Sequence, residues 1–113
     1  MFSETELYII KASLEIITND ENPKTGTVWD IKEKMEDSGY KTEKLEFVRA
    51  FNELKQKGYL EEHSYGLEKV MYFYTPNMKK PEIVEAINKL GYDVEKIESF
   101  INSYVEKRSS VKK

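Results

Sequence analysis

The side chains with most to offer chemically are His63, the carboxylates, and a group of cations between Lys41 and Lys57. His63 is the only histidine among 113 residues. Its neighbours supply no ligand or nucleophile spacing, so it reads as a structural or exposed hairpin residue. The 21 Asp and Glu residues include no local pair marked out for acid/base work. The sequence has no phosphate-cradling loop, dinucleotide glycine pattern or nucleophile elbow, and it has no cysteine. These observations point away from an enzyme and imply no cofactor and no metal site. The cations carry the remaining signal. Lys41, Lys44, Arg49, Lys55 and Lys57 stand with Glu43, Glu46 and Glu53, a local balance of +2 in a chain of formal net charge -3.

Helical periodicity explains how those cations would be presented. Thr42 can cap a helix running to Lys57 and stopped by Gly58. At 100° per residue, Phe47, Ala50, Phe51 and Leu54 share its apolar side, with Val48 at the edge. Leu45, Glu46, Arg49, Asn52, Glu53 and Gln56 lie opposite, on a side able to enter a groove or simply to be solvated. Upstream, Ser3 and Glu6 form a capping box for a helix over 4–18, with Leu7, Ile10, Leu14 and Ile17 in its buried stripe. The stretch NDENPKTG is a turn-rich loop in which Thr25 and Gly26 are a candidate strand stub. Thr27 with Asp30 then caps a short helix carrying Val28, Ile31 and Met35 and stopped by Gly39.

Downstream of Gly58, YLEEHS and EKVMYFYT are β-prone runs around Tyr65, Gly66 and Leu67, a hairpin signal ended by Pro76. Tyr65, Tyr72, Phe73 and Tyr74 suit the core and cross-strand pairs of a small sheet better than a stacking platform for single strands. Pro81 begins a fourth helix with Ile83, Val84, Ile87 and Leu90, and Asp93 caps a fifth. In the fifth, Val94, Ile97, Ile101 and Tyr104, with Phe100 beside them, repeat as a stripe that must pack on another helix. This stripe either caps the domain or joins two copies, and the small size of the preceding unit favours a homodimer. Trp29 is compatible with core or interface.

The division expected is a domain over 1–76, C-terminal helices over 77–108 and a basic tail over 109–113. The chain is 39% apolar, 35% charged and 12% aromatic, as expected of a folded, highly charged soluble protein. No apolar run could span a bilayer, and the acidic N-terminus lacks a signal-peptide pattern. A cytoplasmic protein without a membrane partner is the expectation.

The order helix, loop, helix, turn, helix, hairpin, with FVRAFNELKQKGYLEE at 47–62, resembles the winged helix-turn-helix family over residues 4–76. The two C-terminal helices are similar in placement to those of PadR-like and replication-terminator-like proteins, where they make a dimer. The resemblance implies an α+β, mainly helical fold with a two-stranded wing, binding double-stranded DNA as a small dimeric transcriptional regulator or related factor. It implies that the third helix enters the major groove. Arg49 would meet guanine, Asn52 adenine and Leu45 a thymine methyl. Lys41, Thr42, Lys44, Lys55 and the wing residue Lys69 would contact phosphates. Acidic residues on the wing and the third helix depart from a basic DNA-binding surface and keep a protein partner as the alternative, contacted by Leu45, Trp29 and the wing.

Overall fold

Ser3 starts the first helix by the reciprocal bonding its sequence promises. Its hydroxyl accepts the Glu6 N–H at 3.2 Å, while the Glu6 carboxylate accepts the Ser3 N–H at 2.9 Å, satisfying two donors that a helix start leaves open. The structure, a computed structural model, describes residues 2–19, 26–65 and 71–109. Helix α1 spans Glu4–Thr18. Ile10, Leu14 and Ile17 are buried as their spacing predicts, but so are Ile9, Ala12, Ser13 and Ile16, while Leu7 is half-buried. The apolar surface is wider than one stripe because α1 has neighbours on several sides. The one polar intrusion among these, the Ser13 hydroxyl, donates to the Ile10 carbonyl at 2.8 Å, so no donor is stranded in the core.

Helix α2 (Val28–Asp37) is capped by Thr27, whose hydroxyl accepts the Asp30 N–H at 3.3 Å. It packs Ile31 and Met35 toward α1. Helix α3 covers Lys44–Gln56, not 42–57. Its N-cap position is Glu43, which makes no side-chain cap bond. Thr42, expected to cap the helix, instead donates its hydroxyl to the Glu46 carboxylate at 3.0 Å, since the extended Glu43 carries the threonine one residue too far back to reach the first turn. Phe47, Phe51 and Leu54 are buried, and Ala50 and Val48 are half-buried. The helix stops where expected. Gly58 takes a φ of 81°, a conformation costly for any residue with a Cβ, and the Tyr59 N–H folds back onto the Leu54 carbonyl at 2.9 Å.

Strands β1 (Leu60–Tyr65) and β2 (Met71–Pro76) form a two-stranded antiparallel sheet, in register from Leu60 opposite Pro76 to Tyr65 opposite Met71. The turn residues, Lys69 among them, lie outside the described residues. So does Thr25 of the proposed strand stub. Its neighbour Gly26 is not in a strand, yet its carbonyl accepts the Tyr74 N–H at 3.1 Å on the outer edge of β2. Phe73, Tyr74 and Thr75 are all buried. Successive strand residues point to opposite faces, so β2 is covered on both. Tyr74 meets Phe51 of α3 edge-to-face at 4.8 Å between centroids, and Phe73 meets Tyr104 at 5.7 Å.

Tyr104 belongs to α5 (Val94–Ser109), which follows α4 (Pro81–Lys89). Asp93 caps α5 by accepting the N–H groups of Glu95 and Lys96. Helix α5 lies against α1 and β1. Ile97, Ile101 and Tyr104 are therefore buried within this one chain, Val94 is half-buried and Phe100 is exposed. Three of the five residues assigned to a dimer seam thus serve the chain's own core, because α1 and the sheet offer them an apolar surface far off in sequence. The fold is α+β and mainly helical, and among the described residues no helix is long and apolar enough to cross a membrane. Truncating Ile101 to Ala should lower unfolding stability by about 2–5 kcal/mol, and Phe100 to Ala by less than about 1 kcal/mol. Urea denaturation of the two variants checks this, and equal losses would contradict the packing described.

Candidate nucleic-acid interface

Helix α3 turns Phe47, Phe51 and Leu54 inward, and its helical period then forces Leu45, Arg49, Asn52 and Gln56 outward. All four are exposed, Leu45 by 62%. Leu45 is an isolated exposed aliphatic side chain at the helix start. Arg49 makes no ion pair with a described residue, so its guanidinium keeps its donors free for a planar acceptor. Lys41 is exposed in the turn before α3, and Thr42 is half-buried and committed to Glu46. Lys44 opens the helix with its ammonium 5.4 Å from the centre of the Trp29 ring.

The two flanks of α3 have different neighbours. On one, Glu46, Arg49, Ala50, Glu53 and Lys57 line an open groove shared with the start of α1, where Glu4 and Glu6 stand. Glu46 is the anchored member of this group. One carboxylate oxygen accepts from Thr42 at 3.0 Å and the other from Thr5 at 3.3 Å, so it points to α1 and not outward as a reading residue. The Thr5 hydroxyl also bonds the Tyr40 hydroxyl at 2.8 Å, and the Tyr40 ring stacks on Tyr8 at 4.2 Å. These contacts fix the turn between α2 and α3 to α1. Sequence reasoning passed over Tyr40, Tyr8 and Thr5. Their pairing joins residues 35 apart, which no local pattern signals.

The other flank carries Lys44, the half-buried Val48 and Lys55, with Trp29 beside its N-terminal end. Trp29 is 49% exposed, and its inner side reaches Phe47 at 6.1 Å. Lys55, assigned to a phosphate, has partners already. Its ammonium lies 3.4 Å from the Glu62 carboxylate and over the Tyr74 ring. The Tyr74 hydroxyl donates to the same Glu62 oxygen at 2.7 Å. Burial and that carboxylate push the Tyr74 hydroxyl well above its ordinary pKa, keeping it a donor. The three side chains couple the end of α3 to the hairpin and hold one of the wing glutamates in place.

No family model matches this chain, and neither a curated protein nor a solved structure matches it. The site therefore has to be read from its own chemistry. That chemistry is an exposed helix face with hydrogen-bonding side chains and two lysines along one edge. Among the described residues no group of three or more His, Asp or Glu side chains is arranged to hold a metal ion.

His63 lies on the opposite sheet face from α3. Its ring stacks on Phe73 at 4.8 Å, and Nε2 is 2.9 Å from the Thr75 hydroxyl. Burial lowers its pKa below the ordinary imidazole value, against a smaller upward pull from Glu61. An unfolded chain therefore takes up this proton near pH ~6.5 while the folded chain resists it to lower pH. Between those values the unfolded state binds more protons, so stability falls as pH drops through that window and the loss is complete below the folded value. Melting temperature should decline as pH falls through the ordinary imidazole range and below it, and His63→Gln should remove that part of the decline. An unchanged pH profile in the variant would contradict the burial argument.

Proposed function

We propose that this chain is a winged-helix protein that binds duplex DNA, with α3 in the major groove and the hairpin beside the backbone, as a factor in transcription or a related DNA transaction. The observation that carries the reading is the outward face of α3. It combines Arg49, which can engage guanine, and Asn52, which can engage adenine, with the aliphatic Leu45. Lys41 and Lys44 stand at the start of that face as phosphate contacts. Two of the acidic residues nearest α3 have lysine partners. Glu62 lies 3.4 Å from Lys55 and Glu53 lies 3.6 Å from Lys57, while Glu46, hydrogen-bonded to two threonines, keeps its charge but is turned toward α1. Those exposed ion pairs add little stability, but they remove isolated negative charge from the approach to a polyanion.

The binding unit in this reading is one chain, since Ile97, Ile101 and Tyr104 are spent on its own core. A sedimentation mass of one chain at micromolar concentration is the expected result. A mass of two chains would restore the dimer that the sequence stripe invites. A second reading, docking of a partner protein, draws on the exposure of Trp29 and Leu45. Recovery of DNA from native cells without a stoichiometric protein partner would count against it.

The direct test is a titration of genomic duplex fragments at several salt concentrations. Salt-sensitive binding is expected, with Arg49→Ala weakening it by about 1–3 kcal/mol and relaxing sequence preference at one position. A chain that shows no salt-sensitive binding to any duplex does not have this function.

A further inference from the structure

A duplex seated on α3 also lies beside the hairpin, and the hairpin has no net positive charge with which to hold it. This inference rests on the DNA-binding reading above. Glu61, Glu62 and Glu68 stand with Lys69 between residues 60 and 76, a balance of -2 with His63 neutral, and the adjacent Lys55 raises it only to -1. Any hold of the hairpin on a phosphate backbone therefore comes from uncharged donors at short range.

The strand pattern places such donors. Tyr74 sends its N–H to the Gly26 carbonyl, away from β1, so Tyr74 and the opposing Glu62 are a cross-strand pair without backbone bonds to each other. Glu62, and Ser64 two residues on, consequently turn their N–H groups away from β2, along the outer edge of β1. Side chains two apart in a strand share a face. Because the Tyr74 ring lies on Phe51, that face is the one toward α3, and Ser64 opposite Tyr72 continues it as the next pair out. Both residues are exposed, Tyr72 by 46%. The α-carbons of such a pair are about 4.5 Å apart, so one phosphate group can span the two hydroxyls. The Tyr74 hydroxyl is committed to Glu62, whereas the Tyr72 hydroxyl has no hydrogen bond with a described residue.

We propose that Ser64 and Tyr72 form an uncharged phosphate site on the hairpin, which holds the DNA backbone beside the segment read by α3. The Ser64 N–H and hydroxyl and the Tyr72 hydroxyl donate to the non-bridging oxygens of one phosphate. The contact neutralises no phosphate, so it adds affinity without adding salt dependence. It touches no base, so its contribution is the same on every sequence. Base reading stays with Arg49, Asn52 and Leu45. The Tyr74, Glu62 and Lys55 contacts tie the hairpin to the end of α3, and they thereby set the spacing between the phosphate site and the reading face.

The experiment titrates the full chain and its Tyr72→Phe and Ser64→Ala variants with end-labelled duplexes of several sequences, following label anisotropy at several salt concentrations. Tyr72→Phe keeps the ring and removes one donor, and it should weaken every duplex about tenfold with the salt slope unchanged. Ser64→Ala keeps the N–H and should lose less. A series of duplexes, each with a neutral methylphosphonate in place of one phosphate, locates the contact. The parent chain should weaken at a position to which Tyr72→Phe is indifferent. Parental affinity in both variants, with parental sensitivity to every methylphosphonate, would overturn this site while leaving the DNA reading intact. Loss confined to some sequences in Tyr72→Phe would show a base contact and refute the backbone role. A flat anisotropy signal for the parent chain with every duplex would overturn both the site and the DNA reading.

Discussion

Burial of β2 on both faces is the constraint on which the arrangement depends. Phe73 and Tyr74 are adjacent, so a strand must send them to opposite sides. One ring is met by Tyr104 of α5 and the other by Phe51 of α3. A two-stranded hairpin has little stability by itself. Here it is clasped between two helices, and that clasp fixes its position relative to α3. The Tyr74 hydroxyl extends the same contact into a polar one by holding Glu62 beside Lys55. Core packing and the surface charge pattern therefore share a residue.

From the other end of α3, the network of Tyr8, Tyr40, Thr5, Thr42 and Glu46 does a related job. It makes the turn between α2 and α3 continuous with the start of α1. The helix is consequently held at both ends, while its outer face makes few commitments. A helix held at both ends has little backbone freedom left to lose on binding, so the ordering cost falls on its exposed side chains.

Much of this organisation is legible in the residues because it depends on short-range rules. Ser3 and Glu6 cap α1 through a four-residue pattern, Thr27 caps α2 in the same manner, and Gly58 ends α3 because of its own backbone freedom. The strand character of β2 follows from its run of aromatic residues. Features settled by distant partners escape such reading. Thr42 looks like a cap until the backbone puts Glu43 in that position, and Lys55 looks free until the hairpin returns Glu62 to it. The stripe on α5 announces that something must cover it. What covers it, α1 and β1, comes from chain at least 29 residues away. For the candidate interface, periodicity identified the outward residues of α3, while the neighbours of its two flanks became visible only with α1, α2 and the hairpin in place.

The inward use of α5 also bears on the order in which this chain can become native. Helix α1 is made before α5, yet part of its surface and one face of β2 are closed by that later helix. During vectorial synthesis those apolar surfaces lack this native cover until α5 has left the ribosome. The pairing of α1 with α5 is non-local, and closing so long a loop is slow compared with forming any single helix. Completion of this core therefore waits on α5, however early α1 itself becomes helical.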